Sequence, residues 1–406
     1  MESPISLYSS VEAAPADPIL GLTDRFNADV RPGKVNLGVG VYQDERGKLP
    51  LLECVRSVEM QMGASPQPHG YLPIDGLPAY RQAVTDLVLG EQNPAVQEGR
   101  MVVLQTLSGT GALKIGADFL HEISPASTVL ISAPSWENHR ALFTRAGFEV
   151  AEYRYYNPAD RAIDLEGMLA DLGAAASGTI VVLHPCCHNP TGYDPTPEQW
   201  DQIVQVVQDR HLVPFVDMAY QGFSHGVEAD GAVVRRFVET GLNVLVSVSF
   251  SKNFSLYGER VGALAMLCAD AEEARRVLSR VKVVVRTNYS NPPTHGARVV
   301  TAVLSDPELR ELWETELGVM RDRIRGMRLT LVDRLAGAGV SEDMSFITRQ
   351  AGMFSYSGLS RDQMVRLREE FAVYGTDRGR ICIAALNESN IEHVCHAMAA
   401  VMRNTA

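Results

Sequence analysis

Between about residue 100 and residue 270, short apolar runs alternate with amphipathic stretches. No other feature of the chain restricts the fold as much. The runs "MVVLQTL", "STVLISA", "TIVVLHP", "LVPFVDMAY", "NVLVSVSF" and "GALAML" lack strict polar–apolar alternation, the pattern of strands covered on both faces. Segments such as "PEQWDQIVQVVQDRH" fall between several of them with helical spacing. Strands separated by helices predict a mainly parallel, doubly wound α/β sheet.

The pattern changes near residue 305. Asp306 is a candidate cap and Pro307 stands at the first helical position,. Leu309, Leu312, Leu317, Met320, Ile324, Met327, Leu331 and Leu335 then recur at helical spacing before a Gly-rich stop. The stripe is read as core packing rather than as a cofactor pocket. A helix this long predicts a link from the sheet domain to a smaller C-terminal α/β domain, and 406 residues exceed one ordinary core,.

Net charge is −12 with no basic block, which argues against nucleic acid or an anionic membrane surface and raises the prior for a small-molecule partner. Six scattered cysteines make neither a disulfide framework nor a metal-ligand spacing, and the adjacent Cys186 and Cys187 are poorly placed to bridge each other,. The N-terminal stretch has no apolar core of a signal peptide, and no run reaches the length of a membrane span,. The expectation is a reduced, cytoplasmic protein without a metal.

Function in open α/β sheets collects at the carboxyl ends of strands, where four polar clusters fall. In "QTLSGTGALKIGADFL", Ser108, Gly109, Thr110 and Gly111 lead from a strand into a helix, a geometry suited to phosphate,. Gly109, Gly111 and Gly116 do not meet the dinucleotide GxGxxG spacing. In "TIVVLHPCCHNPTG" a strand ends at His184, and Asn189 before Pro190 either offers its amide to a ligand or simply makes a turn,. In "LVPFVDMAYQGF", Asp217 closes a strand three residues before Tyr220, as a helix cap or as the partner of a buried cation,. In "SFSKNFSLYGER", Ser249, Ser251, Lys252 and Arg260 follow a strand. A buried lysine there can attack an aldehyde; an isolated one would be a surface residue.

Taken together, a phosphate cradle, a carboxylate, a phenol, an amide and a lysine at strand ends of one sheet form the inventory that pyridoxal 5′-phosphate needs. The chain resembles class I aminotransferases of the aspartate and aromatic amino acid group, fold type I of the pyridoxal phosphate enzymes. The motifs that carry the resemblance run nearly end to end: "DPILGLTDRF", "VNLGVGVYQDERGK", "YLPIDGL", "PSWENH", "HNPTG", "DMAYQGF", "SFSKNFSLYGERVG", "RTNYSNPP", "GMFSYSGL" and "RGRICIA".

The resemblance implies a role for each matching residue. Lys252 matches the lysine that holds the cofactor and moves the proton, Asp217 the acid at the pyridine nitrogen, and Tyr220 and Asn189 the donors to the ring oxygen. Ser108, Gly109, Thr110, Ser249 and Arg260 match the phosphate anchors, Trp136 the residue stacked on the ring, and His139 the support of the aspartate. Tyr71 matches a tyrosine that reaches the neighbouring subunit's phosphate, which implies a homodimer with shared active sites. The peptide bond before Pro190 is expected to be cis. Arg380 matches the clamp on the α-carboxylate, Arg286 the arginine that meets a distal carboxylate from the other subunit, and Val39 and Gly40 the substrate-side backbone,. The implied division is an N-terminal arm with part of the small domain over 1–45, a large cofactor-binding domain over 46–310 and a small domain over 311–406.

Several stretches, among them "LHPCCHNPTG", "YLPIDGL" and "MFSYSGL", look closer to the bacterial aromatic (tyrosine) branch. Gln43 and Leu49 are less polar than the aspartate branch tends to have, whereas Thr110 and Asn291 look aspartate-like. The expectation is transfer of the amino group from tyrosine or phenylalanine, and also from aspartate or glutamate, to 2-oxoglutarate. The alternative is a dedicated aspartate aminotransferase. β-Elimination or decarboxylation on the same cofactor, and a DNA-binding regulator, are weaker readings. The latter lacks both a basic patch and room for a helix-turn-helix before "VNLGVG",.

Overall fold

The six apolar runs and a seventh, more polar edge strand pair into one sheet in a computed structural model that describes residues 6–13 and 20–403. The start of "DPILGLTDRF", at residues 17–19, lies outside the described residues. The strands are β1 (Met101–Leu107), β2 (Thr128–Ala133), β3 (Glu149–Arg154), β4 (Ile180–Leu183), β5 (Val213–Met218), β6 (Leu245–Ser249) and β7 (Val261–Leu267). Their spatial order is β1-β7-β6-β5-β4-β2-β3. Every residue of β4, β6 and β7 is buried, which is why these runs show no polar face.

Helices cover the sheet between the strands: α1 (Ser108–Ile123), α2 (Glu137–Ala146), α3 (Leu165–Ala174), α4 (Pro197–Asp209) and α5 (Val227–Glu239). The parallel pairs are β2 with β3 and β4, β4 with β5, and β5 with β6. β7 departs from this direction and runs antiparallel to both β6 and β1. The sheet is therefore mainly parallel, as expected, with one reversed strand.

After β7 come α6 (Ala271–Asn288) and the long helix α7 (Pro307–Gly337). Asp306 caps α7 by accepting from the backbone N–H groups of Glu308 and Leu309 at 2.9 and 3.1 Å,. Leu317, Met320, Ile324, Met327, Leu331 and Leu335 are buried, so the apolar stripe is core,. Trp313 stacks on Phe254 with ring centroids 4.8 Å apart, and its Nε1–H donates to the Asn253 carbonyl at 2.7 Å. The long helix is thereby fixed to the segment that carries Lys252.

Two short pairings lie outside this sheet: Val35–Asn36 lies parallel to Val373–Tyr374, and Phe354–Tyr356 antiparallel to Arg380–Cys382. Residues near the amino terminus thus pack with the carboxy-terminal part of the chain. No helix among the described residues is long and apolar enough to cross a membrane.

Candidate active site

The parallel strands deliver their carboxyl ends to one edge of the sheet. Ser108 follows β1, Trp136 lies just past β2, His184 follows β4, Asp217 is near the end of β5, and Lys252 follows β6. The reversed strand β7 brings its amino end to the same edge, so Arg260, immediately before it, joins them. These residues border a cavity of about 210 Å³, to which Gly109, Thr110, Asn189, Tyr220, Ser249, Gly40 and Arg380 also contribute.

At one end of the cavity hydroxyls and a cation gather at the amino terminus of α1. Ser108 Oγ lies 3.1 Å from Ser249 Oγ and 2.9 Å from Ser251 Oγ, and Arg260 donates to Ser251 Oγ at 3.2 Å. A side chain at Gly109 would press on Ser249 and Ser247, at 3.1 and 3.2 Å. Ser108, Cys187 and Arg260 hold left-handed backbone, with φ of 63°, 52° and 53°. Non-glycine residues in this region are strained, and here all three stand on the cavity wall,.

A histidine holds the carboxylate at the sheet edge. His139 Nε2 lies 3.0 Å from Asp217 Oδ2, and its Nδ1 lies 2.9 Å from Ser135 Oγ. Burial pushes Asp217 up, but the His139 bond and the charges of His139, His184 and Lys252 outweigh it and hold the acid below its ordinary value,. His184 is pulled down to about 3, mainly by burial and also by His139. Its Nδ1 accepts from the Asn189 backbone at 3.2 Å, while its Nε2 has no partner. The ligand atoms of His139, His184 and Asp217 lie within 4.8 Å of one another, and the direct His139–Asp217 bond already uses two of them.

Lys252 Nζ sits 5.0 Å from the centre of the Tyr220 ring. Burial lowers its amine to about 8; Asp217 opposes the shift, and Arg260 and Arg380 add to it. Tyr220 is pushed up, chiefly by burial. Arg380 is 2% exposed and donates to Asn189 Oδ1 at 3.1 Å and to the Gly38 carbonyl at 2.7 Å, while its Nε lacks a partner. The Asn189–Pro190 peptide is cis, as expected.

Three expected residues stand apart. Tyr71 is 94% exposed and lines a separate surface depression with Asn291 and Pro292. Arg286 is exposed on α6, where it bonds Ser290 Oγ. Val39 does not border the cavity, although its neighbour Gly40 does. Conversely, Leu113, Cys186, Cys187, Ala219 and Phe354 form walls, although within the quoted stretches none of them was singled out as a site residue. Asp194 was also missed: it accepts from the backbone N–H groups of Cys187 and His188 at 2.7 and 2.9 Å, fixing the turn that carries Asn189. Phe354 lies within "GMFSYSGL", but that motif gives no hint that its ring packs 4.2 Å from the Arg380 guanidinium.

Comparison with known proteins agrees with this geometry. A family model described as aminotransferase class I and II matches residues 32–398. An aspartate aminotransferase from Pseudomonas aeruginosa is 56% identical over 98% of this chain and 100% of its own length. An aromatic-amino-acid aminotransferase from Escherichia coli is 48% identical, again over 98% of this chain and all of its own. Among solved structures, an aromatic-amino-acid aminotransferase from Burkholderia pseudomallei, covalently bound to pyridoxal phosphate, superposes with a TM-score of 0.95. It is 59% identical and covers 98% of this chain and 100% of its own. The chain belongs to the class I and II aminotransferases and has the fold type I architecture of pyridoxal-phosphate-dependent transaminases.

Proposed function

We propose that this chain is an aromatic amino acid aminotransferase. It holds pyridoxal 5′-phosphate in the cavity at Lys252 and moves the amino group of tyrosine or phenylalanine, and also of aspartate or glutamate, to 2-oxoglutarate in two half-reactions. The observation that carries the reading is a buried cation without an anion. Arg380 has no carboxylate partner among the described residues, its buried Nε makes no hydrogen bond, and the residue borders the same cavity as the perturbed lysine. An uncompensated buried guanidinium is costly, and a substrate carboxylate supplies the missing charge.

The residues present fit the cofactor. The hydroxyls of Ser108, Thr110 and Ser249, the close approach permitted by Gly109, and Arg260 suit a phosphate at a helix amino terminus,. Asp217, kept ionised by His139, would pair with the pyridine nitrogen, and Tyr220 and Asn189 would donate to the ring oxygen. Trp136 would cover one ring face. Pyridoxal phosphate, when bound, supplies an electron sink for the charge left on the substrate Cα. The amine of Lys252, about half neutral near pH 8, takes up and returns the Cα proton,. Arg380 orients the α-carboxylate so that this proton faces Lys252, with Val39 and Gly40 on the substrate side. Tyr71 and Arg286, both exposed, act in the other subunit's site of a homodimer. The large cofactor-binding domain spans 46–310, and the small domain draws on 1–45 and 311–406.

The apolar walls of Phe354, Leu113 and Ala219 favour aromatic side chains. Thr110 and Asn291, with the aspartate aminotransferase from Pseudomonas aeruginosa, favour the second reading, a dedicated aspartate enzyme. Comparing kcat/KM for phenylalanine and aspartate, each with 2-oxoglutarate, decides between them. Turnover of both, with phenylalanine preferred, is expected; negligible phenylalanine turnover would overturn the aromatic reading.

A further inference from the structure

A second cleft, of about 340 Å³, lies where the loop after Tyr220 meets α7 and the segment leading to Phe354. Arg321, Arg325, Arg328, Arg349 and His225 line it, and no carboxylate does. In a chain of net charge −12, four arginines on one cleft are a marked local reversal,.

Their charges are poorly compensated. Arg328 is 2% exposed and donates to the carbonyls of Ile347, Gly352 and Phe354 and to the side-chain oxygen of Gln350. Burial lowers it to about 10. Arg321 donates to the Gly222 carbonyl at 3.1 Å, and its buried Nε makes no hydrogen bond. Arg325 donates to the Ser224 carbonyl. Asp322 stands 3.8 and 3.6 Å from Arg321 and Arg325 but is largely solvent-exposed, and Asp343 acts on Arg349 from outside the lining. Asp194 and Asp230 lie behind the loop, with their oxygens turned to backbone N–H groups and to Ser224.

We propose that this cleft is a second ligand site, separate from the catalytic cavity, which takes a small divalent oxyanion of the kind presented by a phosphoryl group or a dicarboxylate. Guanidiniums from two directions suit an anion with several charged oxygens. A ligand there would join the loop after Tyr220 to the segment before Phe354. The inference does not depend on which amino acid the enzyme transfers.

Phosphorus NMR of the cofactor-loaded enzyme, titrated with inorganic phosphate, tests it. The cofactor's own resonance reports that the catalytic site stays filled. Wild type should broaden the phosphate line saturably, and the double variant Arg325→Ala, Arg349→Ala should bind at least about tenfold more weakly. Circular dichroism melting confirms that the variant folds. Added succinate that narrows the line again would assign the site to dicarboxylates as well; an unchanged line would restrict it to phosphoryl groups. No saturable broadening with wild type, or affinity within about twofold in the folded variant, overturns the proposal.

Discussion

A lysine beside two arginines and inside a wall of apolar strands is easier to deprotonate than one in water. Lys252 is lowered to about 8 from an ordinary value near 10.4, mainly by burial,. Covalent capture of the cofactor by apoenzyme needs the neutral amine. Its rate constant, followed by stopped-flow absorbance, is therefore expected to rise with pH and level off just above pH 8. Continued rise to pH 10 would mean that the lysine is unperturbed. Arg380→Lys keeps the charge and loses the planar fork, so steady-state kinetics should show KM for the amino donor raised about 10- to 100-fold. His139→Asn acts through Asp217 and should lower kcat about tenfold, with a changed cofactor absorption band that a merely structural role would not produce,. That Lys252 and Asp217 border one cavity was legible in the sequence because each is a polar group at the end of an apolar run, and Asn189 because it stands in the turn that follows one. Asp194 was not, because an acid that accepts from backbone N–H groups seven and six residues earlier looks like any loop aspartate.

The reversed strand Val261–Leu267 is the element on which the phosphate end of the cavity depends. Its run reads as a buried strand from composition, but apolar spacing is the same for both strand directions, so its antiparallel course was hidden,. That course sets Arg260 at the cavity and Gly262 against the turn that opens the helix Ser108–Ile123. A Cβ on Gly262 would lie 2.4 Å from the Ser108 carbonyl carbon, a backbone atom that cannot swing away. Gly262→Ala is expected to lower unfolding free energy by about 1–3 kcal/mol in urea titrations and to weaken cofactor binding. Wild-type stability and cofactor affinity would contradict the packing described. The long helix Pro307–Gly337 was legible in full, since its cap, its proline and its apolar stripe all carry local signals.

At the scale of the molecule, the proposed homodimer would complete the site with residues from a second chain. Tyr71 and Arg286 are exposed and outside the cavity, and no spacing along the sequence could say which subunit they serve. If Arg286 acts across a dimer, Lys252→Ala and Arg286→Ala chains that are mixed and refolded should regain about a quarter of wild-type aspartate activity. Half the dimers are then hybrids, each with one intact site. Activity no greater than that of the parents would place Arg286 elsewhere. The central claim is that Lys252 holds the cofactor. The most direct measurement is borohydride reduction of the loaded enzyme followed by peptide mass mapping. The account predicts the mass of the reduced cofactor on the peptide containing Lys252 and on no other. A tag on a different lysine, or none on an enzyme that is active when loaded, would contradict it.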